Sequence, residues 1–235
     1  MRFAPLLELD AEQLKDIFNV DFLCYLTYEV GEIEQFKIDS IQLATADFKH
    51  YLLSLQFGAK AIRQYLQTLD AYYRLGSDAG DGQSQERNVI TQVLSHLPAM
   101  RDLRQLFLLQ LRQFNPNIQN REYLRDIITA NHVLLANLER ASQLSSCSFD
   151  LRQHLKQFCS QAIISQYGIA LEDFKTNGQF VNDSIFTILH HVGTDLGRAD
   201  LLCNPVILRP FSNIWKGQFH VILLIFCLNV EYIFN

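Results

Sequence analysis

The chain has 235 residues, of which 49% are hydrophobic and 19% are charged, enough for one folded domain or a short helical array with its own core. Its apolar content and its modest net charge of −5 exclude a disordered chain. Ten glycines and five prolines are too few for collagen, a propeller or a turn-rich β-sandwich. A pI near 5.8 without a basic tract argues against DNA binding driven by the chain's own charge.

The cysteines and the longest apolar run indicate a reducing compartment and no membrane span. The five cysteines include no CxxC pair, which is typical of free thiols rather than a disulfide framework. The first residues reach Glu8 and Asp10 before any long apolar run, so no signal peptide is predicted. The longest apolar run, Val221 to Leu228, is much shorter than the ~20 residues of a membrane-spanning helix. We therefore predict an intracellular protein with no membrane association.

Capping pairs and glycines divide the first third of the chain into three predicted helices. Within each, apolar residues recur at spacings of three and four, which indicates one buried helical face. The predicted starts are Asp10 with Gln13 and Asp39 with Gln42, and the predicted ends are Gly31, Gly58 and Gly76. The glycine-rich stretch 76–85 then predicts a flexible loop.

The helical pattern resumes after this loop and continues to about residue 216. Pro98 and the turn at 115–117 end two helices, and the longest and cleanest helix covers roughly 119–141. The later helix boundaries are predicted from a capping pair, Asp150 with Gln153, and from turns at 176–178 and 204–205. No segment sustains the two-residue alternation of a strand. The predicted fold is all-α, a HEAT- or armadillo-like α-solenoid of about nine or ten helices.

No residue pattern predicts catalysis, a cofactor or a metal. His190 and His191 are adjacent and would diverge by about 100° on a helix, so we interpret them as ordinary core or surface histidines. Gly76, Gly80 and Gly82 are not followed by the GK[ST] of a P-loop. Neither HExxH nor GxSxG occurs. The chain is therefore predicted not to be an enzyme and to hold neither cofactor nor metal.

The basic residues are distributed unevenly. Residues 61–155 contain ten arginines and no lysine. Because arginine favours bidentate pairing with carboxylate or phosphate, this bias indicates an interaction face. The alternative, solvated helix faces with internal ion pairs, stays open.

One block of the sequence resembles a known family. Residues 103–140 contain Tyr123-Leu124-Arg125-Asp126-Ile127-Ile128, then His132 and a leucine-rich end at Leu138-Glu139-Arg140. This block is similar to the signature segment of the Timeless family. Upstream, Tyr65-Leu66-Gln67-Thr68-Leu69 and the helix from Glu86 to Leu97 resemble preceding family helices, and 149–167 and 182–192 resemble its post-linker segment. The resemblance runs from roughly residue 20 to residue 215.

The resemblance implies a division of the chain into four parts. Residues 1–141 would be helical repeats from the C-terminal portion of the family's N-terminal domain, and 142–148 would be a shortened linker. Residues 149–217 would correspond to the post-linker helices, and 218–235 form an atypical apolar tail with one charge, Glu231. That tail is either one more buried helix or non-native sequence. Since family regions on both sides are missing, we expect a fragment or a short isoform.

The resemblance also implies a function. Timeless-type proteins are nuclear, non-enzymatic scaffolds that pair with a small Tipin-type subunit and sit with other replisome components on duplex DNA. There they support replication fork stability, pausing and S-phase checkpoint signalling. An insect paralogue instead binds Period in the circadian clock, and a generic helical-repeat adaptor is a further alternative.

Three residues of the signature block are the candidates for binding. Arg121, Arg125 and His132 would hold the partner or DNA phosphates. The alternative is that the arginines pair along their own helix with its acidic residues, Glu122, Asp126 and Glu139.

Overall fold

The computed structural model of the chain describes residue 16 and residues 18–40, 46–78, 84–144 and 149–216. Over these ranges it contains nine α-helices and no β-strand, which confirms the predicted all-α class. The helices are α1 (Val20–Ser40), α2 (Ala46–Asp78), α3 (Ser84–His96), α4 (Arg101–Gln113), α5 (Arg121–Leu144), α6 (Leu151–Leu155), α7 (Gln161–Leu171), α8 (Gln179–His190) and α9 (Pro205–Lys216). Their stacking into a solenoid stays a prediction.

The chain divides into two compact units that are not continuous in sequence. The first unit comprises residues 1–107 and 133–149, and the second comprises 108–132 and 150–235. Helix α5 contributes its first twelve residues to the second unit and the remainder to the first. The fourfold division implied by the family resemblance stays a prediction. Among the helices of the described ranges, none is both long enough and apolar enough to cross a bilayer.

In the first unit, α1 and α2 pack against each other in an antiparallel pair. Val30 lies against Gly58, and Phe22 lies 6.1 Å from Tyr65 between ring centroids, so the order of contacts is reversed along the two helices. Helices α1, α2 and α3 supply a set of fully buried aliphatic side chains to this unit: Leu23, Leu55, Ile62, Leu66, Leu69, Ile90 and Leu94.

Two predicted helix ends are wrong for the same physical reason. Helix α1 continues through Gly31 to Ser40, and α2 continues through Gly58 to Asp78. An interior glycine costs a helix about 1 kcal/mol relative to alanine, and burial of an apolar face outweighs that cost. Gly76 is close to the true end of α2, whereas Asp39 lies in the last turn of α1 rather than at the start of a helix. The predicted second and third helices are therefore one helix of 33 residues.

Several other boundaries agree with the sequence-based prediction. Helix α3 ends at His96, and Pro98 follows within a 3-10 turn. The Asp150 side chain accepts a hydrogen bond from the backbone N–H of Gln153, 3.0 Å away, at the start of α6. Pro205 is the first residue of α9, preceded by Asn204 as predicted. Asp10, Gln13, Gln42, residues 79–83 of the glycine-rich loop and the tail 218–235 lie outside the described residues.

The second unit is built around α7, which is buried on nearly all sides. Ile163, Ile164, Tyr167, Ala170 and Leu171 are each at most 2% exposed. Gly168 lets α9 approach, because a Cβ atom at this position would lie 2.7 Å from the backbone oxygen of Val206. Because α7 is apolar on most sides, its sequence lacks the alternation of apolar and polar faces that marks an amphipathic helix. The sequence pattern therefore did not predict this helix.

Candidate partner-binding site

The three candidate residues lie on one face of α5. At 100° per residue, Arg121, Arg125 and His132 project within about 40° of one another around the helix axis and span about 16 Å along it. All three belong to the second unit. The opposite side of the same helix is core, since Ile127, Ala130 and Leu134 are fully buried. Helix α5 therefore has a buried side and a partly exposed polar face.

Arg121 is held by the segment that follows α7. Its Nη2 atom lies 2.7 Å from Oε2 of Glu172, and its Nη1 atom lies 3.2 Å from Oδ2 of Asp173. Nη1 also donates to the backbone oxygen of Ile169 at 3.0 Å. The hydrogen bond to Glu172 is the main cause of a raised Arg121 pKa. Arg121 thus places a positive charge at the C-terminal end of α7, where the helix dipole is negative.

These contacts differ from the same-helix pairing that was the alternative for Arg121, and its role in binding stays a prediction. The guanidinium pairs with carboxylates from another part of the chain, and not with Glu122 of its own helix. Arg121 and Glu172 are 42% and 44% exposed, so the pair contributes little stability but orients both groups. Arg121 therefore links the start of α5 to the segment that follows α7, and its side chain stays accessible to solvent.

Arg125 and His132 continue the same face beyond Arg121. Arg125 is half-buried, and its side chain forms no ion pair with any residue that the structure describes. The His132 ring meets the Phe180 ring edge-on, with centroids 5.7 Å apart and planes at 77°. Phe180 is 46% exposed at the start of α8. An arginine and an aromatic side chain thus flank the polar face, a combination enriched at protein interfaces.

Two buried asparagines fix the loop between α7 and α8, which carries the partners of Arg121. Asn177 donates its amide to the backbone oxygen of Ala170 at 2.8 Å and to Oδ1 of Asn182 at 3.2 Å. Asn182 in turn donates to the backbone oxygen of Phe174 at 2.8 Å. The loop ends at Gly178, whose φ of +78° suits glycine. The backbone around Glu172 and Asp173 is therefore well ordered before any partner binds.

A groove of about 580 Å³ lies between this loop and α9. Its apolar lining comes from Leu171, Phe174, Pro210 and Ile214. Its charged lining comes from Glu172, Asp173, Lys175 and Arg209. Because Glu172 and Asp173 also pair with Arg121, the groove and the polar face of α5 form one continuous surface. Sequence reasoning missed the groove, and the run from Glu172 to Lys175 after an apolar helix was its one visible signal.

Comparison with known proteins agrees with this helical architecture. Residues 161–222 match the family model described as the TOF1-like helical domain, which covers α7, α8 and α9. The chain is 40% identical over 223 residues to Protein timeless of Drosophila melanogaster and 39% identical over 214 residues to Protein timeless of Drosophila hydei. These alignments cover 94% and 90% of this chain.

The chain corresponds to only part of the length of each relative. It covers 16% of the length of the Drosophila melanogaster protein and 31% of that of the Drosophila hydei protein. An identity near 40% over more than 200 residues, in a chain with the matching helical domain, is far above chance similarity. The chain therefore belongs to the Timeless family, as a homologue of one segment of these proteins.

Proposed function

We propose that this chain is a non-enzymatic scaffold segment that binds a protein partner through the second unit. The observation that carries the proposal is the continuous surface formed by Arg121, Arg125, His132 and the groove between the α7–α8 loop and α9. This surface combines charged groups, an exposed aromatic ring and an apolar groove on ordered backbone. Such a mixture favours recognition of another protein over small-molecule chemistry.

The first candidate partner is a small Tipin-type subunit. In this role the chain would act in the nucleus as part of the replication fork protection complex, supporting fork stability, pausing and S-phase checkpoint signalling. Contact with duplex DNA and with other replisome components would be made through the complex. Support comes from the family membership and from the modest charge of the chain, which does not favour autonomous DNA binding.

A second candidate partner is Period. The observation that favours it is that both relatives compared above are insect proteins, and the family includes an insect clock paralogue. The chain would then serve the circadian clock by the same physical means, a helical surface that holds a partner segment. The two candidates differ in the partner and not in the surface.

Co-expression followed by size-exclusion chromatography tests both candidates. The chain is co-expressed with the Tipin-type subunit of its source and, separately, with Period from the same source. Co-elution as a 1:1 complex identifies the partner. If neither co-elutes with a soluble and folded chain, the scaffold proposal for this segment fails and a generic adaptor takes its place.

The Arg125→Glu variant tests the surface itself. Arg125 is half-buried within the polar face, whereas Arg112 is exposed on α4 in the same unit. Arg112→Glu makes the same charge change at a residue that neither belongs to α5 nor lines the groove, and it is the matched control. We expect Arg125→Glu to weaken partner binding at least tenfold and Arg112→Glu to leave it within about twofold, since buried interface charges matter far more than peripheral ones. Equal effects of the two changes would remove the α5 face from the proposal.

A further inference from the structure

Three potential metal ligands converge where α8 ends. One ring nitrogen of His190, one of His191 and a carboxylate oxygen of Asp195 all lie within 4.8 Å of one another. His191 Nδ1 and Asp195 Oδ2 are 2.5 Å apart, and the two imidazole rings are 6.2 Å apart at 74°. All three side chains are partly or fully accessible to solvent. An ion could therefore reach them without unfolding the helix.

The backbone explains why Asp195 lies beside both histidines. Residues His191–Asp195 form a π-helical turn, closed by the hydrogen bond from the Leu196 N–H to the His191 carbonyl at 3.0 Å. A π-turn is wider than an α-turn and is frequent at functional sites. In a regular α-helix His190 and Asp195, five residues apart, would diverge by about 140°. The wider π-turn instead brings Asp195 to the side of His190, while His191 and Asp195, four residues apart, share a face in either geometry.

The turn is anchored from several sides, although its polar side chains face solvent. Arg152 donates to the backbone oxygen of Asp195 at 3.2 Å, and the Arg198 N–H donates to the Val192 carbonyl at 2.9 Å. Val192 is 1% exposed, and a Cβ atom on Gly193 would lie 2.8 Å from Leu202 Cδ1. The backbone that carries the three ligands is therefore rigid, which reduces the entropy lost when an ion binds.

From this geometry we infer a binding site for a divalent first-row transition ion, with His190, His191 and Asp195 as its protein ligands. Two imidazoles and one carboxylate suit Zn²⁺, whereas Mg²⁺ and Ca²⁺ prefer all-oxygen sites. Ligand atoms around a tetrahedral Zn²⁺ are about 3.3 Å apart, given metal–nitrogen and metal–oxygen distances near 2.1 Å. The His191–Asp195 contact would open by less than about 1 Å to reach this value, and no other separation between the ligand atoms exceeds 4.8 Å. The adjustment is of the size that side-chain rotation provides. The fourth position is open to water or to a group from a partner.

Zn²⁺ titration of the whole chain, followed by competition with a chromogenic chelator, tests the site. We expect one equivalent to bind, and His191→Ala or Asp195→Asn to weaken the affinity at least tenfold. His190→Gln separates metal binding from the His191–Asp195 hydrogen bond, because that pair stays intact while one ligand is lost. His96 is exposed at the end of α3, so His96→Ala is the matched control and should bind as the unmodified chain does.

Cys24, Cys159 and Cys203 are free thiols and are alternative ligands for a metal ion. Absorption spectra of the Co²⁺-loaded chain distinguish thiol binding from binding at the inferred site. The inferred site predicts visible d–d bands of nitrogen and oxygen coordination without a thiolate-to-cobalt charge-transfer band. Circular dichroism checks that each variant keeps its helices. Absence of Zn²⁺ binding, unchanged affinity in His190→Gln and Asp195→Asn, or a charge-transfer band lost in Cys203→Ser would each overturn the inference.

Discussion

The side chain of Val30 in α1 packs directly against the backbone of Gly58 in α2. A Cβ atom at position 58 would overlap Cγ2 of Val30. The two helices therefore approach closely at a point where the sequence pattern alone predicts a helix end. Gly58, which the sequence pattern marks as a helix end, is therefore the position that allows the 33-residue helix α2 to pack against α1.

We expect Gly58→Ala to destabilise the chain by about 1–3 kcal/mol, although alanine has the better helix propensity. Val30 is β-branched, so its side chain has no second low-energy rotamer in a helix to relieve the overlap. Gly31→Ala is the control, because a Cβ there meets nothing within 4 Å, and we expect it to be neutral or stabilising by up to about 1 kcal/mol. Chemical denaturation measures both. The double variant Gly58→Ala, Val30→Ala should regain part of the loss, and its failure to do so would contradict the overlap as the cause.

Asp70 takes part in two ion pairs of the first unit, one half-buried and one exposed. Its carboxylate pairs with Arg140 of α5 and, at 3.0 Å, with Arg74 of its own helix. The Arg140 side chain is 19% exposed and its guanidinium also lies 5.5 Å from the centroid of the Tyr73 ring, whereas Arg74 is 66% exposed.

Truncating the two arginines should therefore have unequal effects. We expect Arg140→Ala to lower the free energy of unfolding by about 1–3 kcal/mol, since it leaves a half-buried carboxylate short of a partner and removes the ring contact. Arg74→Ala should cost less than about 1 kcal/mol. Urea denaturation at two salt concentrations measures the difference. Equal losses for the two variants would show that burial does not decide the contribution.

The asparagine network of the α7–α8 loop should be sensitive to a single change. Asn182→Ala removes the hydrogen bond that Asn182 donates to the Phe174 carbonyl and the one that it accepts from the Asn177 amide, both in a buried site, which we expect to cost about 1–3 kcal/mol. Asp183→Ala, at the exposed neighbouring position, should stay within about 0.5 kcal/mol. Thermal denaturation measures stability, and hydrogen exchange of the 172–178 backbone shows whether the loss is local. Unchanged exchange in Asn182→Ala would mean that the network does not order the loop.

Arg198 and Asp200 form an ion pair at the surface that changes the protonation of the Asp200 carboxyl group. Arg198 Nε lies 2.8 Å from Asp200 Oδ1, and this hydrogen bond is the main cause of an Asp200 pKa below its ordinary value. Because the folded pKa is depressed, the stabilisation is present above the unfolded pKa and is lost as the pH falls through the folded one.

An NMR titration of the Asp200 carboxyl measures this shift directly. We expect a pKa below the ordinary aspartate value in the unmodified chain and a return towards that value in Arg198→Gln. Added salt should reduce the shift, since the pair is exposed. A pKa that is the same with and without Arg198 would contradict the assignment of its cause.

Much of the local structure follows from the sequence, as α5 and α6 show. The sequence pattern predicted a helix over roughly 119–141, and α5 covers Arg121–Leu144. The capping pair Asp150 with Gln153 predicted the start of α6 at the right residue. These features depend on neighbours three or four residues apart, so short-range pattern is sufficient to predict them.

The candidate site was predictable in part. That Arg121, Arg125 and His132 share a face follows from helical spacing, which α5 preserves. That Arg121 pairs with Glu172 and Asp173, about 50 residues further along the chain, was not predictable, because no local pattern links the two segments. The groove beside α9 was missed for the same reason.

The sequence by itself determined the all-α class, most helices after residue 84 and the family, since each depends on residue order and short-range periodicity. Tertiary structure alone decided that α1 and α2 run through Gly31 and Gly58, because packing between helices outweighs the propensity cost of one glycine. It also decided that His190, His191 and Asp195 converge, because the π-turn that brings them together is held by contacts with Arg152, Arg198 and Leu202. Where several segments must meet, burial and long-range hydrogen bonds choose among conformations that the local sequence leaves nearly equal in free energy.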